Sequence, residues 1–268
     1  MDDLKITILG CGSSGGVPRI GGHWGACDPK NPKNRRQRCA LLVERIGQSG
    51  RTQVVIDTGP DIRAQLLEHK ISTLDAVLYT HPHADHIHGI DELRVVTFNK
   101  RGRLDVYADA PTSDDLMNKF GYVFEMPEGS DYPPILNLHP ITDAPVRIDG
   151  AGGLIEFIPF YARHGRIDAL GFRIGPFAYL PDANEMYPQG WAALKGVETW
   201  IVDALRYTPH GSHAHLEQTL EWIETAGVPQ AYLTNLHIDL DYERLRQETP
   251  AHVSPAYDGL TLQASYSA

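Results

Sequence analysis

The chain has 268 residues, 42% of them hydrophobic, which supports a sizeable core and excludes a chain disordered throughout. A formal charge of −10 excludes a protein built mainly to wrap a nucleic-acid backbone, since that task needs a cationic face. No stretch nears the roughly 18 uninterrupted apolar residues of a membrane span, and three cysteines form no even-numbered disulfide framework.

In chain order, "LKITILG" alternates and ends in glycine, which predicts a first strand. A glycine-rich loop and a polar, basic segment through "DPKNPKNRRQR" follow. "CALLVER" and "TQVVIDTG" predict a hairpin, "DIRAQLLEHKI" a helix, "LDAVLYT" a short apolar strand and "DELRVVTFN" a second helix. "RLDVYAD", "LIEFIPFYA", "GFRIGPFAYLPD" and "ETWIVDAL" read as strands, and "HLEQTLEWIETAG" as a helix capped by Gly227. "QAYLTNLH" is a strand pattern and "DYERLRQET" a last helix. The proline-rich region 125–150, with Pro127, Pro133, Pro134, Pro140 and Pro145, reads as loop and as a candidate lid. Without a repeat or a long linker, a single domain over residues 1–268 is expected.

Gly10-Cys-Gly12-Ser-Ser-Gly15 matches the dinucleotide fingerprint, but that motif needs a helix opening at its third glycine. Here Pro18 and further glycines follow and oppose a helix, and the acid expected about 20 residues on is missing. The loop is better read as a tight backbone turn lining another kind of pocket.

"THPHADHIHG", residues 80–89, carries the chemistry. His81-x-His83-x-Asp85-His86 follows a short apolar strand, so the group stands at the strand's carboxyl end. His81 and His83 share a side of an extended turn, and Asp85 and His86 open a helix aimed at the same point. Imidazole and carboxylate donors suit zinc, manganese or iron, and two pairs so close together suggest two adjacent ions. His88 falls outside the pattern.

This motif resembles the H-x-H-x-D-H signature of the metallo-β-lactamase-fold hydrolases. The resemblance implies an α/β, four-layer αββα sandwich with two divalent metal ions, zinc or manganese. By the same resemblance, His81, His83 and His164 hold one ion, and Asp85, His86 and His237 the other. Asp182 in "AYLPDAN" bridges them, and Asp57 in "VVIDTG" orients a ligand histidine. One departure stands out: relatives carry a histidine where this chain has Asn235. His237 lies two residues later, which on a strand shares the same face, and it is taken as the ligand instead.

"LGCGSSGGVPRIGG" followed by "NRRQRCALLVE" is similar to the branch that contains phosphoribosyl cyclic phosphate phosphodiesterase; the tRNA 3′-processing nucleases resemble it more distantly. That branch carries a cysteine cluster for a structural zinc, of which only Cys27 remains, with Gly22 and Trp24 at the other positions. Cys11 and Cys39 read as buried small residues. In "TPHGSHAHLEQTLEWIE" the resemblance implies a general acid at His213, with His210 and His215 as neighbouring alternatives. His213 and Asp85 are the catalytic candidates. Ser13, Ser14, Gly15, Arg19 and Arg163 are the substrate-binding candidates, each arginine being either a phosphate clamp or a solvated side chain. The Arg35–Arg38 run reads more simply as a solvated face.

The expected activity is hydrolysis of a small phosphodiester, cyclic ones included, built on a sugar or nucleotide. Two alternatives remain: a lactone, thioester or β-lactam hydrolase of the same fold, and a non-catalytic nucleotide-binding relative. The expected partner is a small phosphodiester or nucleotide substrate, with no stable nucleic-acid partner and no membrane; a homodimer stays open. The opening "MDDLKITILG" lacks the basic and apolar regions of a secretion signal, and the cysteine usage fits a reducing compartment, so the cytoplasm is expected.

Overall fold

A computed structural model describes residues 2–126 and 128–266. In chain order, strands β1 (Asp2–Gly10), β2 (Ala40–Gly47) and β3 (Gly50–Ile56) precede helix α1 (Ile62–Glu68), β4 (Ala76–Leu78) and the short α2 (Ala84–Ile87). Next come α3 (Leu93–Lys100), β5 (Leu104–Ala108), α4 (Ala110–Phe124), β6 (Leu136–Pro140) and β7 (Val146–Ile148). The second half runs β8 (Ile155–His164), β9 (Ile167–Ile174), β10 (Phe177–Leu180), β11 (Glu185–Met186) and α5 (Pro188–Ala193). It continues with β12 (Thr199–Asp203), α6 (Leu216–Ala226), β13 (Gln230–Thr234), α7 (Tyr242–Glu248), β14 (Val253–Pro255) and β15 (Thr261–Tyr266).

The chain forms two compact units interleaved in sequence. Met1–Thr7, Ala40–Ile155 and Leu262–Ala268 make the first; Ile8–Cys39 and Glu156–Thr261 make the second.

The first unit's sheet has the order β15-β1-β2-β3-β4-β5-β6. The expected hairpin is present, with β2 antiparallel to β3 and Leu41 opposite Ile56. From β3 to β6 the pairings are parallel. All three residues of β4 are buried, as expected of a parallel strand covered on both faces, whereas β5 alternates between buried and half-buried. Sequence reading misses α4. Asp109 caps it by accepting from the Thr112 N–H at 3.0 Å, Pro111 sits in its first turn, and Leu116, Val123 and Phe124 are buried. Region 125–150 is not loop throughout, since β6 and β7 lie in it; Pro127 is outside the described residues.

The second unit's sheet has the order β11-β8-β9-β10-β12-β13-β14. β8, β9 and β10 pair antiparallel, and β10, β12, β13 and β14 pair parallel. The stretch 171–182, expected as one strand, is split between β9 and β10. Gly175 takes φ +56, a left-handed turn that glycine adopts without steric cost. The core of this unit packs Trp222 and Ile223 of α6 and Leu245 of α7 against Ala178, Leu180, Trp200, Val202 and Leu233. Trp200 is completely buried. Among the described residues no helix is long and apolar enough to cross a membrane.

Candidate metal centre

In both units the chemistry-bearing residues stand at or just beyond the carboxyl ends of strands, most of them paired in parallel, where α/β sheets build their sites. Asp57 follows β3, and Thr80, His81 and His83 follow β4, while Asp85 and His86 lie in α2. Asp57 takes φ +65, a left-handed conformation that aspartate tolerates better than most residues. Its buried carboxylate accepts from the Thr80 N–H and Thr80 hydroxyl, both at 2.8 Å, and from His86 Nδ1 at 2.7 Å.

These bonds settle the imidazole tautomers. A carboxylate only accepts, so His86 carries its proton on Nδ1 and leaves Nε2 as the unprotonated nitrogen. Thr80 spends its single hydroxyl proton on Asp57, so its oxygen accepts from His81 Nδ1 at 2.9 Å. One aspartate therefore sets both rings, directly for His86 and through a hydroxyl for His81. The His81 ring centroid lies 4.7 Å from that of His83 and 4.2 Å from that of His86. His86 Nε2 faces Asp85 Oδ2 at 3.6 Å. Burial pushes the Asp57 carboxyl above its ordinary pKa, against the opposing pull of His86 and Thr80.

Gly89 permits this arrangement. Its N–H bonds the Thr58 carbonyl at 2.7 Å, while the Thr58 N–H bonds the His86 carbonyl at 2.8 Å. A Cβ on Gly89 would stand 2.1 Å from the Gly59 carbonyl oxygen, so only glycine lets α2 sit this close to the loop after β3. His88 ends α2 and packs its ring edge-on to Phe120, away from the donor group.

In the second unit, His164 ends β8, Asp182 follows β10, Asp203 ends β12 and Asn235 follows β13. His164 Nδ1 donates to the Ser212 carbonyl at 2.6 Å, which leaves its Nε2 unprotonated and facing Asp182 Oδ2 at 3.6 Å. The His164 and His213 rings are 4.6 Å apart. His213 Nδ1 donates to Asp203 Oδ2 at 2.9 Å, and Asp203 also takes the Ala183 N–H at 3.0 Å. Asp203 is fully buried, and burial pushes its pKa up to about 6 although the His213 imidazole pulls it down.

Asn235 completes this group. Its two amide protons go to Asp182 Oδ1 at 3.1 Å and Asp203 Oδ1 at 3.2 Å. The 3.0 Å approach of its Nδ2 to His213 Nδ1 is then a close contact between two donors. Of the three candidate acids, only His213 joins His164 and Asp182. His210 bonds the Ser212 hydroxyl at 3.2 Å, and His215 precedes the first residue of α6 with its ring 4.0 Å from the Glu217 carboxylate. Asp203 escapes sequence reading; its only signal is its place at the end of the apolar strand "TWIVD".

Two expected residues are placed elsewhere. His237 does not join Asp182: β13 stops at Thr234, and Asn235 takes φ +60, which breaks the strand alternation on which the shared-face reading depends. Instead, His237 Nε2 meets the Arg19 guanidinium and its Nδ1 meets Asp239 at 2.9 Å. Arg163 precedes His164 on β8, so the two point to opposite faces. It faces Asp168 at 3.7 Å and stacks over Tyr187.

The glycine-serine loop forms no helix, in keeping with the rejection of the dinucleotide reading. It is tied to the strand end instead: the Leu236 N–H bonds the Cys11 carbonyl at 2.8 Å, and the Ser13 N–H bonds the Leu236 carbonyl at 3.4 Å. Ser13 is buried, and Ser14, Gly15 and Arg19 are exposed. The three cysteines are free and buried. Cys27 Sγ lies against the Ile238 and Leu240 carbonyls, as a packed thiol would.

Nε2 atoms without protons facing carboxylate oxygens, at the carboxyl ends of strands, are a donor set suited to divalent metal ions in an α/β protein. Residues 52–238 match the beta-lactamase superfamily domain, and the chain belongs to that superfamily. It is 35% identical over 263 residues to a Porphyromonas gingivalis protein named octanoyltransferase, a match covering 96% of this chain and 51% of that protein. The chain thus spans about half the length of that relative. It is 31% identical over 104 residues to ribonuclease Z of Clostridium kluyveri, covering 38% of this chain and 27% of that enzyme.

Among solved structures, a diphosphatase from the PhnP family matches with a TM-score of 0.87 and 32% identity, covering 98% of each chain. Zinc-bound PqqB from Methylobacterium extorquens matches in fold, with a TM-score of 0.74 and 17% identity over 96% of this chain and 99% of that one. The metallo-β-lactamase αββα fold expected from the sequence is therefore the fold of this chain. Family, neighbours and donor groups together support a metal-dependent hydrolase.

Proposed function

We propose that the chain is a metal-dependent phosphodiesterase acting on a small sugar- or nucleotide-based phosphodiester, cyclic ones included. One repeated observation carries this reading. His86 Nε2 faces Asp85 Oδ2, and His164 Nε2 faces Asp182 Oδ2, each at 3.6 Å and each imidazole with its Nδ1 proton already engaged. Two acceptors held at that separation repel one another unless a cation joins them. The donors therefore fit hard or borderline divalent ions.

The proposed ligands are His81, His83, Asp85, His86, His164 and Asp182. Asn235 turns its amide N–H groups toward the carboxylates, so it orients Asp182 rather than supplying a seventh donor. Two divalent ions, zinc or manganese, would supply Lewis acidity and neutralise the phosphoryl oxygens. His213 is the proton donor to the leaving alkoxide, held by Asp203 with Nε2 as its working nitrogen. Ser13, Ser14, Gly15 and Arg19 line the substrate side. Phosphate chemistry is also supported by the diphosphatase with which the chain shares 32% identity.

The test is hydrolysis of a panel by chelated and metal-reloaded protein: ribose cyclic phosphate, 2′,3′-cyclic nucleotides, a linear diester and a nucleoside-diphosphate diester. Turnover lost on chelation, restored by metal and absent in Asp182→Ala is expected. A second reading, hydrolysis of an acyl thioester, is favoured by the identity to the octanoyltransferase, of which this chain spans half. An octanoyl thioester, a lactone and a β-lactam in the same panel decide between them, because metal-dependent turnover of acyl substrates alone rejects the phosphodiesterase.

A further inference from the structure

Arg19 and Arg206 both belong to the second unit, and both spend their N–H groups on neutral acceptors. Arg19 meets His237 Nε2. An arginine never accepts, so that nitrogen is the acceptor; the ring carries its proton on Nδ1, toward Asp239 at 2.9 Å. The His237 backbone is fixed from two sides, its N–H on the Leu205 carbonyl at 3.0 Å and its carbonyl accepting from buried Arg36 at 3.2 Å. The first of these bonds brings Arg206 alongside. Arg206 donates to the Thr208 carbonyl at 3.0 Å and the Pro209 carbonyl at 2.7 Å, shaping the loop that carries His210 and His213.

Among the described residues neither guanidinium pairs with a carboxylate within 4.0 Å. In a chain of net charge −10, two cations left beside neutral imidazoles stand out. Their field reaches the rings. Burial lowers the His237 pKa, and both arginines lower it further, against the pull of Asp239; burial, His213 and Arg206 lower that of His210. The His210 and His213 rings are 5.2 Å apart, so this cationic edge lies one imidazole away from the proposed proton donor. Among the described residues the Nη1 N–H groups of both arginines meet no protein acceptor, and guanidinium N–H groups without a carboxylate partner are preorganised for the oxygens of a phosphate.

We propose that Arg19 and Arg206, with His237 as the group that orients Arg19, form a subsite for a second phosphate adjoining the scissile one. The substrate class this subsite selects is a diphosphate-linked diester, such as a nucleoside-diphosphate diester, over a singly charged cyclic phosphate. The substrate class rests on the phosphodiesterase reading above; the anion subsite itself does not.

The test uses the metal-loaded chain with Arg19→Gln and Arg206→Gln, which keep a side-chain N–H and remove the charge. Calorimetric titration reads the affinity for inorganic diphosphate and for orthophosphate. Each variant should weaken diphosphate binding at least tenfold, and more than orthophosphate binding, as expected for a lost charge-assisted bond. Each should also lower kcat/KM at least tenfold more for a nucleoside-diphosphate diester than for bis(p-nitrophenyl) phosphate. Diphosphate affinity within twofold of the parent in both variants overturns the subsite, whatever the chain hydrolyses. Arginine-dependent diphosphate binding without turnover of any diester keeps the subsite and rejects the phosphodiesterase.

Discussion

The two units hold their histidines by different means. In the first, a single carboxylate, Asp57, sets the tautomers of His81 and His86, and all the donors lie within six residues of sequence apart from Asp57 itself. In the second, a backbone carbonyl sets His164, and Asp182, Asp203 and Asn235 arrive from three neighbouring parallel strands. The first group has the composition of a metal holder only. The second adds a histidine–aspartate pair suited to moving a proton, with an amide where the family pattern has an imidazole. Metal retention and proton transfer are thus expected to separate when the units are altered one at a time.

The largest separation is expected at His213. His213→Ala should retain metal while losing roughly 10²–10⁴-fold in kcat on a diester with an alkyl leaving group. It should lose far less on a p-nitrophenyl diester, whose leaving group needs no proton; equal losses on both would assign His213 to metal or structure instead. In the first unit, Asp57→Ala should weaken metal binding by roughly 10–100-fold, the usual effect of removing the partner of a ligand histidine. Metal titrations of the two variants, run side by side, check the division directly.

Asn235→His tests the departure itself. Histidine tolerates the left-handed backbone at this position better than most side chains do. The change should tighten binding of the more weakly held ion by about tenfold, one added donor's worth. Unchanged affinity for both ions would show that position 235 does not face the metals.

The smallest effect contrasts two buried carboxyls. Glu44 in the first unit resists the upward push of burial through Lys5 at 2.8 Å, Gln53 and Arg51, and its pKa ends below the ordinary value. Its stabilisation is present above the unfolded pKa and fades as pH falls through the folded one. Asp258 in the second unit has the Gln37 and Cys11 N–H groups and the Cys11 thiol, and burial carries its pKa to about 7. Between its ordinary 3.8 and about 7 the folded state holds the extra proton, so stability falls as pH rises through that window. The slope from this group is at most about 1.4 kcal/mol per pH unit. Urea unfolding at pH 5 and pH 7.5 should show the decline in the parent and a flatter profile in Asp258→Asn.

Legibility differed between the units for physical reasons. The first unit's group announces itself because its donors are close in sequence and follow an apolar strand. His164 and Asp182 are isolated letters in sequence, found through resemblance to a family. Asp203 has neither aid, since one acid ending a strand looks like any strand-end acid until His213 is seen beside it. The shared-face reading of His237 needs an unbroken strand, and the left-handed Asn235 ends it; that asparagine favours this region is the only sign of the turn in the sequence. The helix at 110–124 escapes sequence reading although Asp109 and Pro111 mark its start, because its first half is polar and Gly121 and the non-helical Phe120 interrupt its apolar second half. The hairpin at 40–56, two short apolar runs joined by a tight turn between Gly47 and Gly50, is legible directly.

The most direct test of the central claim is a metal titration of the chelated chain in which bound metal and diester hydrolysis are measured on the same samples. The account predicts no turnover without metal, turnover that rises with bound zinc or manganese, and a His213→Ala protein that takes up the same metal yet leaves alkyl diesters intact. Hydrolysis by the metal-free chain, or a fully loaded chain that cleaves no phosphodiester, would contradict it.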